Sequence, residues 1–322
     1  MTKKYGFKAK GMATKIFIDG EYGTTGLQIQ KRLTKRLDLE LLSLPHTDRQ
    51  NIDIRRDYLN QTDIAILCLP DDAARETVNW LQKNKKIRII DSSTAHRVAP
   101  NWIYGFPEMT AGHKKRIQAA HYVTNPGCYP TGAISLIRPL REAGLLDAYY
   151  PISINAISGY TGGGKQLIAQ MENQSQQNKI LQNYFIYGLN LKHKHVPEIK
   201  IYGQINQTPI FVPSVGRFPQ GMIINLPLHR YLFTKSANCS DLREILENHY
   251  DGQNIISVAS QEETDAISKL NPECLAHKDG MKLFVFGNES EGIFNLCAIL
   301  DNLGKGASAA VVQNLDLMLS GN

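Results

Sequence analysis

One cysteine in an unusual setting carries the first chemical signal. Cys128 lies in TNPGCYPTGAISLI, residues 124–137, between an Asn-Pro-Gly turn and residues that read as the start of a helix. Pro130 suits the first helical turn, where its missing N–H costs nothing. A cysteine at that N-cap gains twice. The helix dipole favours thiolate over thiol, and the free amides of the first turn can hold an oxyanion on a carbon bonded to the sulfur. The bland alternative is an inert turn cysteine. A base is offered by HKHVPEI, residues 193–199. His195 is preferred to His193, because Pro197 and Glu198 can fix its orientation. The two histidines give no expectation of a metal, since no third ligand has a recognisable spacing.

A second constellation points to a nucleotide. GEYGTTG, residues 20–26, follows the apolar strand KIFID and opens a helix. Glycines at 20, 23 and 26 let a backbone approach a pyrophosphate, and the helix start supplies N–H donors. The spacing is GxxGxxG rather than GxGxxG, and a ligand-free Gly-rich turn is the alternative. An acid at the end of the next strand would favour NAD through the ribose 2′-hydroxyl. That strand ends in Ser43, followed by His46 and Arg49 with no acid at the tip, so NADP(H) is expected.

Three further stretches bear on the site. SGYTGGGKQ, residues 158–166, matches GxxxxGK from Gly159 to Lys165, but Gln166 stands where a triphosphate-binding loop needs Ser or Thr for Mg²⁺. It reads better as a glycine-rich segment beside an active site, with Lys165 exposed toward substrate. DSSTAHR, residues 91–97, falls at the carboxyl end of a strand, where open α/β sheets bind ligands. Arg97 there could take a carboxylate or phosphate bidentately, or the segment could be a simple hydrogen-bonded turn. In DNLGKGASAA, residues 301–310, Asn302 could reach a nicotinamide amide.

These residues need a frame to hold them. KIFID (15–19), LELLSL (39–44), DIAILCLP (63–70) and KIRIIDSS (86–93) read as strands, with helices at 24–37 and 71–84 between them. Strand–helix alternation with continuous apolar runs implies a parallel sheet covered on both faces. After residue 144 the strand-like segments PISINAIS, PIFVPSV, MIINLPLHRYLF, NIISVAS, KLFVFGN and GIFNLCAILDN are joined mostly by loops, which implies a mixed or antiparallel sheet. Residues 306–319 read as a helix that packs back on the first domain. The expected division is an extension at 1–14, a dinucleotide domain at 15–127 plus 303–322, and a catalytic domain at 128–302.

Composition narrows the class of partner. The 322 residues hold a net charge of +6, but residues 1–10 contribute four lysines and no acid. The rest mixes both signs without a basic stripe, so no nucleic-acid partner is expected. No apolar run approaches the ~18 residues that would cross a membrane. The tail lacks the apolar segment of a secretory signal. Five cysteines without a CxxC pair argue against a disulfide framework, hence a reducing, cytoplasmic setting. Cys68 and Cys297 read as buried strand residues.

A dinucleotide site beside an activated cysteine and a histidine suggests thiolate attack on an acyl carbon, a thioester, and hydride exchange with a nicotinamide. The stretches KIFIDGEYGTTGLQI, DSSTAHR, NPGCYPTGAISLIRPL, GYTGGGK, HKHVPEI and DNLGKGASAAVVQNL together resemble the N-acetyl-gamma-glutamyl-phosphate reductase family, in its shorter (type 2) form. NPGCYPTG is the most specific element. The resemblance implies a Rossmann-like domain and a mixed-sheet domain in the semialdehyde dehydrogenase architecture, and a homo-oligomer. It implies NADPH-dependent reduction of N-acetyl-gamma-glutamyl phosphate to the 5-semialdehyde in arginine biosynthesis. Carried over, Cys128 is the nucleophile, His195 the acid/base, Gly20, Gly23, Thr24 and Gly26 hold cofactor phosphates, and Arg97 binds the substrate phosphate or carboxylate. The nearest enzyme rival is another acyl-phosphate reductase, similar to aspartate-semialdehyde dehydrogenase. A rival of another class is a non-catalytic dinucleotide sensor, for which Cys128 would be dispensable.

Overall fold

The computed structural model describes residues 13–321, apart from 82, 83, 85, 174 and 176. The extension expected at 1–14 lies almost wholly outside the described residues. The first half of the chain runs β1 (Thr14–Asp19), α1 (Thr24–Leu33), β2 (Leu39–Leu42), α2 (Ile52–Asn60), β3 (Ile64–Leu67), α3 (Asp71–Leu81), β4 (Arg88–Asp91), β5 (Ile103–Tyr104), α4 (His113–Ala119) and β6 (Tyr122–Thr124). All six strands are parallel, in the order β2-β1-β3-β4-β6-β5.

Both faces of this sheet are apolar, because successive side chains point to opposite sides. Ile16, Ile18, Ile64, Ile66 and Ile90 face one way and pack with Ile29, Leu33 and Ile117. Phe17, Ala65, Leu67 and Ile89 face the other and pack with Leu59, Val78 and Leu81. The order places a topological switch between β1 and β3, whose carboxyl ends open the crevice where such sheets bind ligands. Helix α1 is shorter than its apolar pattern predicts. It stops at Leu33, and Leu37 is 98% exposed, because Arg36 pairs with Asp38 and Asp316 and pins a turn there.

The second half runs α5 (Cys128–Glu142), β7 (Ser153–Gly159), α6 (Gly164–Glu172), β8 (Tyr184–Ile186), α7 (Val196–Tyr202), β9 (Ile210–Gly216), β10 (Met222–His229), α8 (Cys239–Tyr250), β11 (Ile256–Val258), α9 (Gln261–Asp265), β12 (Met281–Asn288), β13 (Ile293–Leu300) and α10 (Ala309–Ser320). Its seven strands form a mixed sheet, β11-β12-β13-β10-β7-β9-β8, with β7–β9 and β11–β12 parallel. Helices α5, α7 and α8 cover one face through Ile134, Ile137, Leu140, Ile199, Leu242 and Leu246. The outer face carries Ile223, Phe284, Cys297 and Ile299. The final helix, α10, returns to the first sheet, where Val311, Leu315 and Met318 are fully buried against Ile16, Ile66 and Ile90.

Candidate active site

Gly127 is the pivot of the site. It forms the N-cap of α5 in an extended conformation, and Cys128 is the first helical residue. A Cβ on Gly127 would sit 2.6 Å from both the Arg97 Nη1 and the His195 Nε2, so only glycine lets these groups close on the backbone beside the nucleophile. The Gly127 N–H donates to Glu198 Oε2 at 3.0 Å. The same carboxylate accepts from Arg97 Nη1 at 2.8 Å and from the Tyr104 hydroxyl at 2.9 Å, all buried. Glu198 therefore ties together the β4–β5 connection, strand β5, the α5 start and helix α7. Sequence reading gave it a lesser task, orienting His195.

The electrostatics of the thiol differ from the expectation. Burial pushes Cys128 up to about 11, and the Glu198 carboxylate adds to this. Arg97 and the amides of Tyr129 and Cys128 draw it down without offsetting the loss of hydration. Desolvation of the sulfur anion thus outweighs the pull of the helix terminus. His195, at the N-cap of α7, is buried and held well below the usual imidazole range by desolvation, Arg97, His193 and Lys194. The resting pair is a neutral thiol and a neutral imidazole. Neighbouring His193 is packed among Tyr129, Tyr187 and Phe211, and its Nδ1 accepts from the His195 N–H at 3.1 Å. His193 props its neighbour, while His195 faces Gly127.

A cleft of about 610 Å³ opens in front of these groups. Cys128, His195, His193 and Arg97 line it, together with Thr24 and Thr25 from the α1 start, Asn302, and an apolar flank of Leu167, Ile180, Phe185 and Val215. Next to it, two smaller recesses follow the β1–α1 loop, one along Gly23–Gly26 and Leu69–Asp71, the other along Gly20–Gly23, Leu44, His46 and Arg49. Gly20 has φ +92°, and a Cβ there would meet the Cys68 carbonyl oxygen at 2.3 Å. The loop is consequently drawn tight against β3 and leaves room above it. Cys68 lies just past β3, partly buried on the wall of this recess rather than inside the strand. The glycine loop folds tightly on itself, and with the α1 N–H groups beside the two recesses it fits a dinucleotide phosphate.

Four expectations change. An acid does reach the tip of β2: Glu21, delivered by the glycine loop, accepts from Ser43 Oγ at 2.8 Å, Leu44 N at 3.1 Å and Gln30 Nε2 at 2.9 Å. Ser43 is thereby spent on Glu21, and Arg49 and His46 remain for a 2′-phosphate. Arg97 cannot offer its whole fork to a ligand, since Nη1 holds Glu198 and Nη2 donates to the Ser92 carbonyl at 3.1 Å. Asn302 lines the cleft but is engaged at both ends of its amide, by Gly221 N at 2.8 Å and by Thr161 Oγ1 at 3.0 Å. Lys165 borders the two recesses of the glycine loop rather than the Cys128 cleft. It is the second residue of α6, which follows β7 and a tight turn at Tyr160–Gly163.

Comparison with known proteins places this geometry. Residues 15–117 match the family model "Semialdehyde dehydrogenase, NAD binding domain", and residues 128–302 match "Semialdehyde dehydrogenase, dimerisation domain". The N-acetyl-gamma-glutamyl-phosphate reductase of Brucella anthropi is 58% identical over 308 residues, covering 96% of this chain and 99% of that protein. The reductase of Brucella suis is equally similar over the same lengths. The chain belongs to the N-acetyl-gamma-glutamyl-phosphate reductase family. As a member of that family it is an oxidoreductase with an NAD(P)-binding domain. Solved structures share its fold at low identity. Aspartate semialdehyde dehydrogenase II of Vibrio cholerae, complexed with ASA, superposes with a TM-score of 0.75 at 16% identity, over 96% of this chain and 99% of that one. Aspartate semialdehyde dehydrogenase of Candida albicans, with NADP, gives 0.66 at 13% identity over 96% and 99%. Every member of the Cys128 cleft from Arg97 to Asn302 falls within the two matched spans or their junction.

Proposed function

We propose that the chain reduces N-acetyl-gamma-glutamyl phosphate to N-acetylglutamate 5-semialdehyde with release of phosphate, using NADPH, in arginine biosynthesis. One observation carries the reading. Thr24 and Thr25, at the start of the glycine-loop helix, line the same cleft as Cys128 and His195. A dinucleotide on that helix and an acyl group on that cysteine would therefore share one space. In this reading residues 15–127 plus 303–322 serve as the dinucleotide domain and 128–302 as the catalytic domain.

The steps follow from the residues. Cys128 Sγ attacks the acyl carbon while His195, neutral at rest, takes the thiol proton. The Cys128 and Tyr129 amides stabilise the oxyanion, Pro130 having no N–H to give. The C–O bond to phosphate breaks and a thioester remains on the sulfur. The dinucleotide, when bound, supplies hydride to that carbon. His195 returns its proton as the thiohemiacetal collapses, and the aldehyde leaves. Arg97, with its guanidinium at the cleft wall, favours the phosphate or carboxylate of the substrate. Gly20, Gly23, Thr24 and Gly26 approach the cofactor phosphates, and Arg49 with His46 answers a 2′-phosphate. Asn302 shapes the nicotinamide end by holding the Gly221 and Thr161 loops.

Two broader readings accompany this one. The description of the family model that residues 128–302 match, a dimerisation domain, supports a homo-oligomer. Among the described residues no helix is long and apolar enough to cross a membrane, and the biosynthetic reading favours the cytoplasm. The decisive experiment traps the acyl-enzyme with substrate in the absence of cofactor and maps the adduct by mass spectrometry. An adduct on Cys128 is expected, and one on any other cysteine overturns the mechanism. In the reverse direction, phosphate-dependent NADP⁺ reduction should favour N-acetylglutamate semialdehyde over aspartate semialdehyde. The opposite preference overturns the substrate.

A further inference from the structure

The GxxxxGK segment from Gly159 to Lys165 has no part in the thioester route. Its fold explains what it does instead. Strand β7 ends at Gly159, a tight turn occupies Tyr160–Gly163, and α6 begins at Gly164 with φ +74°. The glycines 162–164 line the Cys128 cleft, but Lys165 does not. It lines both recesses along the β1–α1 loop and is the one charged residue common to them. It is exposed and, among the described residues, forms no ion pair.

The charge around the glycine loop shows why a lysine is needed there. Residues 20–26 contain no cation and one acid, Glu21, whose partners Ser43, Leu44 N and Gln30 are all neutral. Asp19, just before the loop, is already paired with Arg55 at 2.8 Å. Across the groove, Asp71 adds another carboxylate. Backbone N–H groups alone would face a doubly charged pyrophosphate against this acidic background. Arg49 lies at the β2 end of the groove, while of the cations along Gly23–Gly26 Arg97 is committed to Glu198, which leaves Lys165 and Lys194, both from the 128–302 span.

We propose that Lys165 binds the phosphates of the dinucleotide from the opposite wall, so that the cofactor is held between the two lobes. The two glycine-rich segments thus face each other across one ligand. This inference rests on the dinucleotide part of the reading above and is independent of the acyl substrate.

The test is calorimetric titration of the whole chain with ADP-ribose, which has the pyrophosphate but no nicotinamide, and with adenosine 2′,5′-bisphosphate. The proteins are wild type, Lys165→Met and Lys165→Arg, each checked for an unchanged melting midpoint. Loss of one charge-assisted contact predicts about a tenfold rise in Kd for Lys165→Met, weaker salt dependence, and substantial rescue by Lys165→Arg. A loss with ADP-ribose puts the lysine on the pyrophosphate, and a loss only with the bisphosphate puts it on the ribose phosphate. Either supports the proposal. If wild type binds both compounds and Lys165→Met binds them equally well while its KM for the acyl phosphate rises, the lysine serves the substrate and the proposal falls alone. If wild type binds neither compound, the dinucleotide reading falls with it.

Discussion

The Gly127 amide and the Glu198 carboxylate are joined by a 3.0 Å hydrogen bond across 71 residues of sequence, so helix α7 sets the position of the nucleophile's helix. Glu198 is also the counter-ion of Arg97, and both are buried. Glu198→Gln keeps the shape and leaves Arg97 uncompensated. Breaking one side of a buried pair costs about 3 kcal/mol or more, which a urea midpoint will register. The same change removes a negative charge that raises the Cys128 thiol, so the pH of half-maximal alkylation at Cys128 should fall. Turnover should drop as the α5 start loosens.

Gly127→Ala separates positioning from stability. The new Cβ would lie 2.6 Å from Arg97 Nη1 and His195 Nε2, and both must move. A displacement near 1 Å at a reacting group is worth about a hundredfold in rate. The N-cap change itself costs about 1 kcal/mol or less. Steady-state kinetics should show kcat reduced about a hundredfold while the melting midpoint shifts by a few degrees.

The pH behaviour of the free enzyme follows from the thiol. Its ordinary range is near 9, and burial moves it up to about 11. The folded protein therefore keeps the neutral thiol favoured, and ionisation is deferred to higher pH. Alkylation rates track thiolate fraction. Iodoacetamide labelling mapped to Cys128 should climb through pH 9–11 in ligand-free protein and be slower at pH 8 than for a free thiol. A plateau already reached by pH 8 would show that the helix terminus outweighs burial.

Cofactor preference should rest on Arg49. Ser43 is occupied by Glu21, and Arg49, hydrogen-bonded to His46 Nδ1 at 2.9 Å, is exposed at the mouth of the recess. Arg49→Ala should raise the Kd for NADP⁺ about tenfold, the value of one charge-assisted contact, and leave NAD⁺ unchanged. Fluorescence titration with both cofactors reads the ratio directly.

The parallel sheet was legible because strand-like and helix-like segments alternate and β3, covered on both faces, reads as an unbroken apolar run. Cys128 was legible because turn residues precede it and Pro130 follows. Short edge strands such as β5 and β8 carry too few residues for any period to show. The reach of Glu21 to the tip of β2 was hidden for another reason. It is 22 residues from Ser43 in sequence, and only the tight turn at Gly20 brings them together. The thiol's raised range was equally invisible, since burial of Cys128 depends on what the second lobe stacks over it. Glu198 stood in the quoted HVPE segment, but its partners at Arg97, Tyr104 and Gly127 are long-range contacts that spacing cannot reveal.

The return of α10 to the first sheet has a consequence for biogenesis. Ile16, Ile66 and Ile90 leave the ribosome early, yet the side chains that cover them, Val311, Leu315 and Met318, emerge last. At about 5–20 residues per second, the interval between β6 and α10 is roughly ten to forty seconds. Throughout that time the nascent nucleotide lobe presents an open greasy flank. A chaperone that shields nascent chains would find its natural docking window there, and a premature stop before residue 309 would leave that flank exposed for good.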